Sequence, residues 1–327
     1  MNSRPKILIT QWMPEEGRDF LKQYCDIEFC DSEKALDKQE LIKRAQGKDG
    51  LIIFMTDTID REVVEKCKSL RVISSFGKGY DNIDVEVCHE NGIAVTINRQ
   101  ALTEDTADLA IGLALANSRN ILIGDDDVRS KAVRGWHPKR HLGRRFNHAT
   151  IGIVGFGEIG AAIAKRAKGF SMKTYYYDVK EDVTFDDAIR CKNLKDMFSI
   201  CDFIFVTANL SVNSYHLLNE ENLRYIKDGA YIVNVSRGSI VDEEAVEKLL
   251  SEKKISGYAS DVFAYEDKMM EDCPDYISRG LLDKIEQTVF TPHLGTGTIE
   301  ARRELSISTA MGLIAALKGE AKEQLVD

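Results

Sequence analysis

Short apolar runs alternate along the chain with amphipathic stretches, and this pattern predicts its secondary structure. Between the first runs, polar stretches begin at Asp37, Asp60 and Asp84, which are favourable helix N-caps. Strand-length apolar runs occur in two series, at 6–10, 51–55, 71–76 and 93–97, and then at 150–155, 173–178, 202–207, 230–235, 257–262 and 289–293. Strands that alternate with helices predict an α/β fold with parallel sheets covered by helices on both faces.

Two longer segments predict helices of about 20 residues, longer than those between the first strands. The alanine-rich segment 101–120 is apolar nearly all round, so it predicts a helix that is buried on most sides and joins two domains or two subunits. A last helix is predicted over 299–318. With 327 residues, 43% of them hydrophobic, the chain is long enough for two domains.

Charge and composition narrow the partners. A formal net charge of -9 argues against a nucleic-acid or anionic-membrane partner, since both favour a basic surface. The basic run 129–145 is interpreted as a solvated face or a loop near an anion-binding cleft. The N-terminal apolar run is too short for a signal peptide, and no segment reaches the length of a membrane span, so we expect a cytoplasmic protein.

Cysteine and histidine spacing gives no sign of a metal site. The seven cysteines include no C-x-x-C pair, which indicates neither a disulfide framework nor a zinc site. His137 and His141 are four residues apart, but Pro138 lies between them and no carboxylate or cysteine pattern completes a ligand set. We therefore expect no metal.

The segment 149–170 contains the most specific local motif. A strand-like run leads into Gly155-Phe156-Gly157-Glu158-Ile159-Gly160 and then into a helix pattern. In this context the glycines allow a tight turn, the approach of a pyrophosphate to the helix N-terminus, and close packing of helix and strand. Asp178 ends the next predicted strand, where a carboxylate binds ribose hydroxyls and repels a 2′-phosphate. The motif predicts NAD rather than NADP.

Polar residues follow the later strands of the second series. Arg237, Asp261 and His293 each come at or after a strand end, and Glu266 lies five residues after Asp261. Because ligands of open α/β sheets bind beyond the carboxyl ends of the strands, we expect these side chains to converge. Together they would supply an anion clamp, a general base and a carboxylate that orients the base.

The ordered motifs VGFGEIG, NVSRGSIVDEEAV, ASDVFAYED and TPHLG resemble the D-2-hydroxyacid dehydrogenase family over essentially the whole chain. The resemblance implies two doubly wound parallel-sheet domains and a homodimer. A Rossmann NAD-binding domain, 102–296, would be inserted into a flavodoxin-like substrate domain made of 1–101 and the C-terminal helix 297–327. Catalysis on a small anionic substrate would take place in the cleft between the domains.

The resemblance also implies roles for single residues. Arg237 would bind the substrate oxyanion, His293 would be the acid and base, and Glu266 would support it. The implied cofactor-binding residues are Thr106, Gly155, Gly157, Glu158, Ile159, Gly160, Asp178, Val235, Ser236, Asp261 and Gly295.

Further residues resemble the phosphite dehydrogenase branch of the family. Asp267 stands after Glu266, where the family usually has proline, and the substrate-binding residues implied by the branch are Met55, Lys78, Gly79 and Arg302. Trp136 also matches this branch, whereas His141 and Asn209 depart from its pattern. Oxidation of phosphite with NAD is the leading hypothesis. The alternatives are a dehydrogenase of 2-hydroxy acids or reductase of 2-oxo acids, and an NAD-sensing protein without turnover.

Overall fold

The computed structural model describes residues 4–32, 34–99, 103–180, 185, 187–270, 272–321 and 325–326. The chain divides into two compact units. Unit 1 comprises Met1–Leu102, Lys268–Glu271 and Thr296–Asp327, and unit 2 comprises Thr103–Asp267 and Asp272–Gly295. The domain boundary predicted at residues 101 and 102 falls outside the described residues.

Unit 1 contains a five-stranded parallel sheet with the order β2-β1-β3-β4-β5. Its strands are Lys6–Ile9 (β1), Asp26–Phe29 (β2), Gly50–Ile53 (β3), Val72–Ser75 (β4) and Ala94–Thr96 (β5). Its helices are Glu15–Lys22 (α1), Lys38–Ala45 (α2), Arg61–Lys66 (α3), Val85–Glu90 (α4) and Ile299–Lys318 (α12). This strand order is the flavodoxin-like one.

Three short helices of unit 1 begin where the sequence predicts. The carboxylates of Asp37, Asp60 and Asp84 each accept a hydrogen bond from the backbone N–H three residues further on. Each bond satisfies one of the N–H groups that a helix leaves unpaired at its start. The three predicted N-caps are confirmed.

Unit 2 contains a seven-stranded parallel sheet with the order β12-β11-β10-β9-β6-β7-β8. Its strands are Thr150–Val154 (β6), Lys173–Tyr177 (β7), Ala188–Arg190 (β8), Phe203–Val206 (β9), Ala230–Asn234 (β10), Ile255–Ser260 (β11) and Thr288–Phe290 (β12). Its α-helices are Thr103–Ser118 (α5), Ile121–Arg129 (α6), Glu158–Gly169 (α7), Leu194–Ile200 (α8), Glu220–Leu223 (α9), Glu243–Ser251 (α10) and Arg279–Leu282 (α11). Short 3₁₀ helices occupy Gly238–Ile240 and Ala264–Glu266.

The connections of the second sheet reverse between β6 and β9. The chain builds β6, β7 and β8 towards one edge and then β9 to β12 towards the other. The carboxyl ends of β6 and β9 therefore flank a topological switch point, where nucleotides bind in sheets of this type. The predicted fold class, two parallel-sheet α/β domains, is confirmed. Within the described ranges, no helix is both long and apolar enough to cross a membrane.

Helix α5 lies against the core of unit 2. Ala107, Ala110 and Ala114 are fully buried on it, and small side chains let α7 and strands β10 to β12 approach closely. The Asn117 amide donates to the carbonyl oxygens of Tyr258 at 2.9 Å and Gln287 at 3.1 Å. Burial of the predicted helix is thus confirmed over 103–118, while residues 101 and 102 lie outside the described ones.

Candidate active site

The glycine motif forms the turn between β6 and α7. Gly155 has a φ of 86° and a Cβ there would lie 2.4 Å from the Cα of Ala208, so only glycine fits. Gly157 precedes the first residue of α7, and a Cβ on it would meet no atom of the described residues within 4 Å. The described residues therefore leave space beside Gly157, next to helix N–H groups that none of their side chains caps. A pyrophosphate fits this arrangement.

Asp178 follows β7 and is fixed beside the same turn. Its carboxylate accepts hydrogen bonds from the backbone N–H of Phe156 at 2.6 Å and of Lys180 at 2.8 Å. The side chain is half-buried, and each oxygen keeps lone pairs for further donors. A carboxylate held in this position is suited to the hydroxyl groups of a ribose.

The segment after β10 carries Arg237. Asn234, fully buried at the end of the strand, donates to the Arg237 carbonyl oxygen at 2.9 Å and accepts from the Ser236 N–H at 3.1 Å. Ser236 donates to the carbonyl oxygen of Ala208 after β9. At Gly238 a Cβ would lie 1.8 Å from the carbonyl carbon of Phe263, so this segment and the one that leads to Glu266 touch through their backbones.

His293 and Glu266, which the sequence predicts to converge, are hydrogen-bonded. His293 Nδ1 lies 2.6 Å from Glu266 Oε2, and Glu266 Oε1 accepts from the Phe263 N–H at 2.8 Å. The carboxylate can only accept, so Nδ1 carries the proton and the neutral ring has its lone pair on Nε2. The His293 side chain is 30% exposed, which leaves it accessible to a ligand.

Asp261 organises the loop that carries His293. Its carboxylate accepts from Thr291 Oγ1 at 2.6 Å, from the Leu294 N–H at 2.7 Å and from the Gly295 N–H at 2.8 Å. The His293 N–H donates to the Asp261 carbonyl oxygen at 2.8 Å while His293 holds a φ of 55°, which non-glycine residues seldom adopt. Burial raises the pKa of Asp261, an effect that its hydrogen-bond donors oppose. The fixed backbone therefore sets the orientation of the His293 imidazole.

Thr106 joins this loop to α5. Its hydroxyl donates to the Gly295 carbonyl oxygen at 3.2 Å. The first turn of α7 contains Glu158, Ile159 and Gly160. Val235, which follows Asn234 in the chain, is buried. Every candidate residue at 106–295 thus belongs to unit 2.

Two acidic residues behind the His293–Glu266 pair have no role in the sequence hypothesis. Asp267, 3% exposed, accepts from the Ser239 N–H at 2.8 Å, and Glu243 accepts from the Ala264 N–H at 3.2 Å. Burial and the neighbouring carboxylates raise the pKa of Glu243. For Asp267 the sequence contained one indication of a special role, since an aspartate stands where the family pattern has proline.

The other substrate-binding candidates lie in unit 1. Met55 follows β3, and Lys78 and Gly79 follow β4, so all three stand at the carboxyl edge of its sheet. Arg302 lies in the first turn of α12, and its side chain is half-buried. Ser75 at the end of β4 donates to the Gly79 carbonyl oxygen at 3.1 Å.

Unit 2 therefore contains a nucleotide-type glycine turn, an oriented imidazole and an arginine at the ends of one sheet. A family model described as "D-isomer specific 2-hydroxyacid dehydrogenase, NAD binding domain" matches residues 111–295, more than half of the 327-residue chain. The chain belongs to the D-isomer specific 2-hydroxyacid dehydrogenase family. NAD as cofactor and the enzyme class, NAD-dependent dehydrogenase, are confirmed with it.

Individual members of the family are similar over their whole length. The glyoxylate reductase of Pyrococcus horikoshii is 38% identical over 99% of this chain and 96% of that protein. The glyoxylate reductase of Thermococcus litoralis is 37% identical over 99% and 97%. Among solved structures, the TT0316 protein from Thermus thermophilus superposes with a TM-score of 0.89 at 32% identity, covering 98% of this chain and 100% of that chain.

These relatives bear on the substrate hypotheses. Both curated relatives are named glyoxylate reductase, which supports the 2-oxo acid alternative better than phosphite oxidation. The resemblance to the phosphite dehydrogenase branch finds no support in them.

Proposed function

We propose that this dehydrogenase reduces a small 2-oxo acid such as glyoxylate to the corresponding 2-hydroxy acid with NADH, and gives the D isomer where the product is chiral. The observation that carries the proposal is the 2.6 Å hydrogen bond between Glu266 and His293 Nδ1, which leaves Nε2 as the proton-transferring atom. The names of the full-length relatives support the choice of a 2-oxo acid. The balanced reaction consumes one 2-oxo acid, one NADH and one proton, and yields one 2-hydroxy acid and one NAD.

NADH, when bound, would supply the hydride that reduces the carbonyl carbon. In the proposed mechanism Arg237 binds the substrate carboxylate, since a guanidinium forms two parallel hydrogen bonds with it. Protonated His293 gives the Nε2 proton to the carbonyl oxygen as the hydride arrives, and Glu266 stabilises the imidazolium. In the reverse direction Nε2 takes the hydroxyl proton.

The geometry of unit 2 supports proposed roles for single residues in cofactor binding. We propose that the backbone of the glycine turn, with Glu158 and Ile159, binds the pyrophosphate and that Asp178 binds the adenosine ribose. Thr106, Val235, Ser236, Asp261 and Gly295 would line the nicotinamide end. Asp261 would do so mainly by holding the loop, because its carboxylate already accepts three hydrogen bonds.

Substrate contacts from unit 1 belong to the same proposal, with Met55, Lys78, Gly79 and Arg302 as the residues. A cytoplasmic location is also part of this proposal.

We propose a homodimer as well, because none of the residues of α6 is buried and large apolar side chains around it are exposed. These side chains are Ile121, Leu122, Val128, Trp136 and Leu142. Light scattering coupled to size exclusion tests the dimer, and a monomeric mass would contradict it.

Turnover with a panel of substrates tests the function. We expect NADH oxidation with glyoxylate or another small 2-oxo acid, and its loss in His293→Ala. NADH formation from phosphite and NAD, with no turnover of any 2-oxo acid, would favour phosphite oxidation instead. NAD binding without turnover of either class would favour the NAD-sensing alternative.

A further inference from the structure

Unit 1 contains a cavity of about 460 Å³ between the N-terminal parts of α1 and α12. This volume lies in the range of about 300–1,000 Å³ that is usual for small-molecule sites. The lining residues come from two segments of unit 1, 12–18 and 297–303, and include Trp12, Glu16, Arg18, Ile299, Arg302 and Arg303.

The cavity has unbalanced positive charge. Three arginines line it against two glutamates, and one of each is already paired, since Arg303 Nε lies 2.8 Å from Glu16 Oε1. For the guanidinium groups of Arg18 and Arg302, the described part of the chain provides no hydrogen bond and no ion pair. Arg18 Nε is buried without a hydrogen-bond partner among the described residues, and such a group is costly unless a ligand satisfies it.

The positions of both arginines are set by their surroundings. The Arg18 guanidinium carbon lies 4.2 Å from the centre of the Phe29 ring, a cation–π contact that orients it. Arg302 is half-buried in the first turn of α12, where burial lowers its pKa. The N-terminus of this 20-residue helix adds partial positive charge beside it.

Apolar surface completes the lining. Trp12 is 47% exposed and Ile299 is 68% exposed, although both line the cavity. Exposed large apolar groups next to two unpaired cations match a ligand with a hydrocarbon part and one negative charge. An inorganic anion would contact the arginines but would leave the apolar side chains without a partner.

We propose that the cavity binds an organic monoanion, with a carboxylate between Arg18 and Arg302 and an apolar body against Trp12 and Ile299. This site goes beyond the proposed reductase function, because it lies wholly within unit 1 and its occupancy needs neither cofactor nor turnover. Arg302 is also a candidate contact for the substrate of the proposed reaction, whereas Arg18 is not. A substitution of Arg18 therefore tests this site separately.

Tryptophan fluorescence measures the binding directly. The chain has two tryptophans, so Trp136→Phe leaves Trp12 as the only one. We expect phenylacetate, a carboxylate without a reducible carbonyl, to change the Trp12 emission of the full chain saturably. Removal of Arg18 by Arg18→Met should weaken this binding about tenfold or more, because a charge-assisted hydrogen bond is lost. Arg61→Met removes a partly exposed arginine elsewhere in unit 1 and should leave the affinity unchanged.

Comparison of two ligands keeps the test valid if Arg18→Met fails to fold. 2-Phenylethanol has the ring of phenylacetate without its charge, and we expect no saturable signal from it. The proposal is overturned by equal binding of the two ligands, by no saturation with phenylacetate up to the solubility limit, or by an unchanged affinity in folded Arg18→Met. Because no outcome involves NADH, failure here is separate from failure of the proposed function.

Discussion

Replacement of Glu266 by glutamine tests the proton-transfer hypothesis with one atom changed. In the native chain Oε1 accepts from the Phe263 N–H at 2.8 Å, while Oε2 lies 2.6 Å from His293 Nδ1. A glutamine that keeps its oxygen on Phe263 turns its NH₂ towards Nδ1. The imidazole then has to accept at Nδ1 and carry its proton on Nε2. This is the wrong tautomer for taking a proton from a hydroxyl group.

The expected magnitude follows from what is lost. General acid–base catalysis contributes about 10²–10⁴-fold in rate, and the glutamine variant should lose most of it in the oxidation of a 2-hydroxy acid. In the reductive direction the loss has the same origin, since an NH₂ group facing Nδ1 opposes the imidazolium that donates the proton. We expect kcat to fall by about 10²-fold or more, with NADH affinity retained because the glycine turn is untouched.

The assay is steady-state turnover in both directions, with NADH binding followed by its fluorescence. Glu244→Gln is the matched control, since Glu244 is an exposed residue of α10. A Glu266→Gln variant with kcat within about threefold of the native value would refute the tautomer argument, because general catalysis is worth far more than this. Equal losses in kcat and NADH affinity would point to misfolding of the loop instead.

Three further changes test other parts of the structure. Asp178→Asn should narrow the preference for NAD over NADP by about tenfold, ~1.4 kcal/mol, since the negative charge is removed while an acceptor remains; an unchanged kcat/KM ratio would assign selectivity to another residue. Asp267→Ala leaves the Ser239 N–H buried without its acceptor, so thermal unfolding should report a loss of about 1–3 kcal/mol, and the KM for the 2-oxo acid should rise because the Arg237 segment loosens. Burial raises the pKa of Asp57 above its unfolded value, so the folded state binds more protons. As pH rises from about 4, the native Tm should fall relative to Asp57→Asn, and a Tm difference independent of pH would contradict this.

The fold was predictable wherever strands are buried on both faces. Strands β1, β3, β6, β9 and β10 consist largely of apolar residues because helices cover both sides of each parallel sheet. The edge strands β2 and β8 were not predicted. Their sequences, DIEF and AIR, are short and partly exposed, so they have no continuous apolar run that periodicity detects. Helix α6 was missed because none of its residues is buried.

The convergence of Glu266 and His293 was predictable from the sequence, but the hydrogen bonds that support the two residues were not. Strand ends of a parallel sheet meet at one edge, which is why Glu266 and His293 could be brought together from sequence alone. The positive φ of His293 and the three bonds accepted by Asp261 depend on the tertiary path of the loop. The positions of the charged residues around Arg18 could not be predicted either, since α1 and α12 are nearly three hundred residues apart in sequence.

Asp267 shows how a departure from the family pattern acquires a physical meaning. A proline at this position would have no carboxylate, so the 2.8 Å bond to the Ser239 N–H is a feature of this chain. The bond connects the residue after Glu266 to the 3₁₀ turn that follows Arg237, next to the backbone contact at Gly238. Glu266 and Arg237 therefore share one support, although in the proposed mechanism Glu266 acts on His293 and Arg237 binds the substrate. A change at Asp267 should alter substrate binding and the alignment of His293 together, whereas a change at Asp178 should alter the binding and the choice of cofactor.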